Sequence, residues 1–211
     1  MPTLDLGVLV SGNGSNLQAI LDGIAHKKLD ARVKLVISNK PGVRALERAE
    51  RAGVESSVID HKQFASREAF DAALVEALTA KQVELVVLAG FMRVLTPRFL
   101  EAFPGRIVNI HPALLPAFPG TDAVRQALDY GVKITGCSVH FVDAGVDTGP
   151  VILQRAVPVL DADDEISLAE RIHREEHALL VEVLDLIAAR RVRVVAAAPG
   201  KRARVVIDPE R

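Results

Sequence analysis

The chain has 211 residues, 49% of them hydrophobic and 25% charged, with a formal net charge of -1. That is the composition of a soluble globular domain, and it leaves no electrostatic case for nucleic acid or a membrane surface as partner. A single cysteine, Cys137, excludes a disulfide within these residues and fits a reducing compartment.

The first stretch, "MPTLDLGVLVSGNGSN", has no basic segment, and its apolar run is broken by Asp5 and Gly7. It reads neither as a secretory signal nor as a bilayer span, so the expected location is cytoplasmic. "LGVLV" (6–10) is a strand, followed by a glycine-rich turn and the helical pattern "SNLQAILDGIAHKK". Gly12 and Gly14 allow backbone geometry that a Cβ would hinder, and the helix that follows opens with free N–H groups. Those donors and the helix dipole suit a phosphate, with Ser15 and Asn16 as further donors or as caps. Leu17 occupies the third-glycine position of the dinucleotide fingerprint and no G-K-[ST] follows, so a plain tight turn is an equal reading.

Further along, "VKLVIS" (33–38), "ELVVLAG" (84–90) and "RIVNI" (106–110) read as strands, and "SSVID" (56–60) as an edge strand or an extended connection. "GVRALERAERAG" and "SREAFDAALVEALTAK" read as helices between them. Strands apolar on both faces alternating with helices predict a Rossmann-like α/β fold, mostly parallel, with helices on both faces. After residue 130 the alternating "TGCSVHFV" and the run "VILQRAVPVL" predict antiparallel additions, and a long helix covers "DDEISLAERIHREEHALLVEVLDLIAAR". The tail, 191–211, reads as a hairpin turning at Pro199-Gly200 with its arginines on the wet face. No repeat or linker divides the chain, so one domain over 1–211 is expected, with a core of about 5–190.

The chemistry concentrates in "GRIVNIHPALLPAFPG" (105–120). Alternation puts Ile107, Asn109 and His111 on one strand face and Val108 and Ile110 on the other. Asn109 and His111 then emerge at the carboxyl edge, where open α/β sheets bind ligands. Pro112 keeps His111 extended, and the prolines at 112, 116 and 119 stiffen the loop beyond. A carboxylate beside an imidazole favours its charged form, and the turn "DAGVDTGP" offers Asp143 or Asp147. A competing motif is "HREEH" (173–177), which matches H-x-x-E-H with His173 and His177 on one helix face. A third metal ligand is not evident there, so a polar helix face is the expectation and a metalloprotease the alternative.

In order and spacing, "SGNGSNLQAI", "VVLAGFMRVLTPRF", "IVNIHPALLPAFPG", "GCSVHFVDAGVDTGPVI" and "EEHALL" resemble the folate-dependent formyltransferases, specifically the phosphoribosylglycinamide formyltransferases of purine synthesis. The resemblance runs from about residue 5 to the end of the long helix. It implies transfer of the formyl group of 10-formyltetrahydrofolate, the co-substrate, to the amine of glycinamide ribonucleotide, with no metal. It implies a catalytic trio at Asn109, His111 and Asp147, which favours Asp147 over Asp143. It also implies ribonucleotide contacts at Gly14, Ser15, Asn16, His173 and Glu176. Folate contacts are implied at Arg67, at Met92, Arg93, Val94 and Leu95, and at Asp143, Ala144, Gly145 and Val146. Ala117, Thr121-Asp122 and His173 depart from the family pattern.

The substrate amine attacks the formyl carbon directly in such a reaction, which fits a chain without a nucleophile elbow. Partners are then small molecules, with no nucleic acid or membrane, and the protein is a monomer or homodimer. Methionyl-tRNA formyltransferase would need an RNA-binding domain, and formyltetrahydrofolate deformylase usually carries an N-terminal regulatory domain. A non-catalytic nucleotide-binding module could use the same phosphate loop but would have no need of the Asn109, His111 and Asp147 constellation.

Overall fold

A computed structural model describes residues 3–196 and 202–209. The chain divides into two compact units, Met1–Asn109 and Ile110–Arg211, with the boundary inside one strand. The first unit holds β1 (Leu4–Val10), α1 (Ser15–Ala25), β2 (Ala31–Ser38), α2 (Arg44–Arg51) and the short β3 (Ser56–Val58). A single 3₁₀ turn (His61–Gln63) precedes α3 (Arg67–Ala80), β4 (Leu85–Leu88) and α4 (Pro97–Ala102). β5 (Ile107–His111) leads into the second unit, which holds α5 (Ala123–Tyr130), β6 (Ile134–Phe141), β7 (Val151–Pro158) and α6 (Glu165–Ala188). The hairpin β8 (Val192–Val195) and β9 (Arg204–Ile207) closes the described chain.

In the first unit every pairing is parallel: β3 with β2, β2 with β1, β1 with β4, and β4 with β5. The strand order β3-β2-β1-β4-β5 of this unit therefore reverses direction at β1. Right-handed crossovers put α1 and α2 on one face of these strands and α3 on the other. Every residue of β4 and the last five of β1 are buried, as strands covered on both faces require. "SSVID" forms the edge strand β3, paired to Val36–Ser38 of β2. The reversal leaves a crevice point beyond the carboxyl ends of β1 and β4, the usual place for a ligand in such sheets.

In the second unit β6 and β7 run antiparallel, with Ile152 as an extra residue in β7 opposite Val139 and His140. β6 is buried from Thr135 to Phe141, so its alternation separates two covered faces rather than a dry and a wet one. α6 packs on both strands and buries Leu168, Ile172, Leu179, Leu180, Val183 and Leu184. Its start is a capping box: the Asp164 carboxylate accepts from Ser167 N at 2.8 Å, and Ser167 Oγ accepts from Asp164 N at 3.0 Å. The tail is an antiparallel hairpin with Arg193 and Arg204 exposed; the expected turn at Pro199-Gly200 lies outside the described residues.

Candidate active site

In the first unit, Gly14 takes the N-cap position of α1 with φ 72. A Cβ on Gly14 would lie 2.6 Å from Ala45 Cβ and 2.8 Å from Ala45 Cα, so α2 leaves room only for glycine. Ser15 opens the helix and Asn16 is buried behind it. Of the two roles expected for these side chains, donor or cap, neither takes the cap: the left-handed glycine holds that position, and no side chain closes it. The loop is braced by Arg48, whose guanidinium donates to Asn13 O at 2.9 Å, Asn13 Oδ1 at 3.3 Å and Gln18 Oε1 at 2.9 Å.

Buried Ser11, at the end of β1, donates to Asn39 Oδ1 at 2.7 Å and accepts from Met92 N at 2.9 Å. It thus ties the loops after β1, β2 and β4 together. Beyond it Met92 and Val94 are exposed, Arg93 is half-buried, and Leu95 is buried. α3 holds this segment from below, since Arg67 Nη2 donates to Val94 O at 2.7 Å and Asp71 Oδ2 accepts from Thr96 N at 2.6 Å. That explains a cation in the first turn of a helix, where the dipole disfavours it. The guanidinium reaches a carbonyl on the neighbouring loop. Asn109 sits half-buried in β5, opposite Leu88 of β4.

In the second unit, His111 is buried, with Nε2 2.8 Å from Phe118 O and Nδ1 3.4 Å from Asp147 Oδ2. Asp147 Oδ2 also accepts from Gly120 N at 2.8 Å. Burial works against the charge of Asp147, but hydrogen bonds from His140 and Gly120 and the nearby imidazoles hold its carboxyl below the usual range. Asp143 does other work: its Oδ1 accepts from Thr148 Oγ1 at 2.6 Å and Gly145 N at 3.1 Å, shaping the turn. Ala144, Gly145 and Val146 are exposed along that turn. Of the two aspartates, only Asp147 is paired with His111 in this way.

Two supporting residues carry no motif. Ser138 Oγ, buried in β6, donates to Ala113 O at 2.6 Å and accepts from Leu115 N at 3.0 Å and Gln154 Nε2 at 2.9 Å. His140, two residues on, places Nε2 3.5 Å from Asp147 Oδ1. Alternation along "TGCSVHFV" was the available signal, since it puts Ser138 and His140 on one face; nothing local names their partners.

On α6, Glu176 is buried and His173 half-exposed, with His173 Nε2 3.9 Å from Glu176 Oε2. The rings of His173 and His177 lie parallel with centroids 6.5 Å apart. Among the described residues no group of three His, Cys, Asp or Glu side chains could hold a metal ion. Cys137 is buried, and burial pushes its thiol up to about 12, which leaves it inert as a nucleophile.

The second unit thus presents an ionised carboxylate against a buried imidazole at a strand's carboxyl end, and the first a glycine turn at a helix N-terminus. Residues 5–184 match the formyl transferase family. The chain belongs to that family. Among curated relatives of this formyl transferase, the phosphoribosylglycinamide formyltransferase of Escherichia coli is 44% identical over 191 residues, covering 90% of each chain. The trifunctional purine biosynthetic protein adenosine-3 of Drosophila melanogaster is 56% identical over 184 residues. That match takes in 86% of this chain but spans only 14% of the longer protein. The crystal structure of glycinamide ribonucleotide transformylase 1 from Symbiobacterium toebii superposes with a TM-score of 0.94 at 52% identity, over 98% of this chain and 95% of that one. The mostly parallel α/β sheet with antiparallel additions and a long C-terminal helix, expected from the sequence, is the fold observed.

Proposed function

We propose that the chain transfers the formyl group of 10-formyltetrahydrofolate to the amine of 5′-phosphoribosylglycinamide, giving the N-formyl product and tetrahydrofolate in de novo purine synthesis. Family membership supports the reaction class, and the E. coli relative's name supports the acceptor. The observation that carries the reading is the buried His111 held against the ionised Asp147 at the end of β5.

The amine nitrogen attacks the formyl carbon and the C–N bond to the folate breaks, so no enzyme nucleophile is required. Negative charge develops on the formyl oxygen of the tetrahedral intermediate, and donors aimed at it lower the barrier most. Asn109 offers an amide N–H. His111 offers the Nε2 proton, which rests on the Phe118 carbonyl here and can be shared with an incoming oxygen. Asp147 orients the ring and supports its charged form. The proton leaving the attacking nitrogen reaches the departing folate nitrogen through His111 or a held water.

The turn at Gly14, Ser15 and Asn16 takes the ribonucleotide phosphate, where glycine geometry and an uncapped helix start favour an anion. His173 and Glu176 take the ribose side. The exposed apolar side chains of Met92 and Val94, with Arg67, Arg93 and Leu95, and the turn Asp143, Ala144, Gly145 and Val146 take the folate. The chain acts as one formyltransferase domain in the cytoplasm, as monomer or homodimer, on small molecules alone and without a metal.

The test follows 10-formyltetrahydrofolate spectroscopically with purified protein, with and without the ribonucleotide. Conversion that requires the ribonucleotide is expected. Conversion without it would make the enzyme a hydrolase, and no conversion under either condition would overturn the reading.

A further inference from the structure

His140 lies at the buried end of β6, 2% exposed. Its Nδ1 stands 2.9 Å from Phe141 O. A carbonyl oxygen only accepts, so that nitrogen carries a proton. Its Nε2 stands 3.5 Å from Asp147 Oδ1. A carboxylate oxygen also only accepts, so the approach is attractive only when Nε2 is protonated too. His111 repeats the arrangement from the other side, with Nε2 on Phe118 O and Nδ1 3.4 Å from Asp147 Oδ2. One carboxylate thus stands between two imidazoles, and each ring has its outer nitrogen on a main-chain carbonyl.

We propose that His140 is a positioning residue for formyl transfer: as an imidazolium it holds Asp147 Oδ1, fixes the carboxylate's orientation, and limits how strongly Asp147 holds a proton on His111. The proposal rests on the reading of His111 and Asp147 as the acid–base pair. Of the other ionisable groups of the second unit, Arg202 and Arg204 line the same cavity as Asp143 and Asp147. α6 packs on β6, but Glu175 and Glu176 act on Cys137, which alternation places on the face opposite Ser138 and His140. On β7 the residue opposite His140 is Val151, and in the turn Asp143 is engaged by Thr148 and Gly145. Asp147 is thus held between His140 and His111.

A purely structural histidine and a charged one differ in what a neutral donor can replace. His140→Gln keeps an N–H for Asp147 and removes the charge. The pH profile of kcat/KM should then move, since a neighbouring cation is gone and Asp147 is no longer shared. His140→Phe removes donor and charge and should lower kcat by about tenfold or more. A His140→Gln profile superimposable on wild type would overturn the proposal. A second measurement needs neither variant nor turnover. Nitrogen chemical shifts of the wild-type histidine rings should show both nitrogens of His140 protonated at about pH 7, and a neutral ring there would also overturn it. Absence of formyl transfer by the wild-type protein is a separate result, which strikes the functional reading and leaves the ring's charge to be decided by the shifts.

Discussion

Replacing Gly14 by alanine imposes two costs that can be measured separately. The first is conformational: φ is +72°, and an L-residue held in the left-handed region costs about 1–2 kcal/mol. The second is steric, because the new Cβ would meet Ala45 Cβ at 2.6 Å and Ala45 Cα at 2.8 Å. The near atoms belong to a helix backbone and its first side-chain carbon, which cannot swing aside. Overpacking of this kind costs about 1–3 kcal/mol. Together they come to about 3 kcal/mol, and at about 2–4 °C per kcal/mol for a chain of this size Tm falls by roughly 10 °C. Gly42 supplies the control, since its φ is +66° and a Cβ there meets nothing within 4 Å. Gly42→Ala therefore carries only the conformational cost, about 1–2 kcal/mol or roughly 3–6 °C. Thermal unfolding of both variants beside wild type is the assay. Because the Gly14 turn is the proposed phosphate seat, KM for the ribonucleotide should rise in Gly14→Ala and stay put in Gly42→Ala. Equal losses of Tm in the two variants would refute the steric half of the reasoning.

Two other outcomes follow from the site and its surroundings. Asn109→Ala and His111→Ala should each lower turnover by on the order of 10²–10³ while the far-ultraviolet spectrum stays native, and near-wild-type rates would remove these residues from the chemistry. Asp163, buried against Arg171 and hydrogen-bonded to Leu160 N and Ser167 Oγ, has its carboxyl held well below the usual range, chiefly by Arg171. A depressed carboxyl stabilises the fold above its unfolded value, about 3.9, and that contribution fades as pH falls through the folded value. Asp163→Asn should therefore unfold at lower temperature than wild type at neutral pH, with the gap narrowing below about pH 4. A gap independent of pH would contradict the linkage.

What was legible in the sequence was what depends on neighbours in the chain. The apolar runs of β1, β2, β4 and β5 bounded their strands to within two residues, and the residues missed at the start of β1 and β2 include the less buried Asp5 and Arg32. The alternation that set Asn109 and His111 on one face is equally local. α4 and α5 left no readable period. The first spans six residues and buries Phe99, and the second spans eight and buries only Ala123 and Ala127. Their apolar faces are too short or too small to rise above loop composition. The two aspartates of the turn could not be separated by spacing, since both sit among glycines. They part in space because Asp143 serves the turn itself while Asp147, with φ 52, is directed to His111. His140 and Ser138 act through partners on other elements, and a strand pattern does not name partners.

Ser138 also has a bearing on the order in which the molecule assembles. Three prolines remove main-chain donors from the segment after His111, and among the bonds that brace it one hydroxyl joins Ala113 and Leu115 to β6 across 25 and 23 positions of sequence. Such a contact cannot form until the intervening chain has closed its loop, and that closure is slow relative to local structure. The β6–β7 pairing can start from His140 and Val151 at its near end, which closes a smaller loop. The segment that presents His111 is thus expected to reach its final shape only once β6 is in place to brace it.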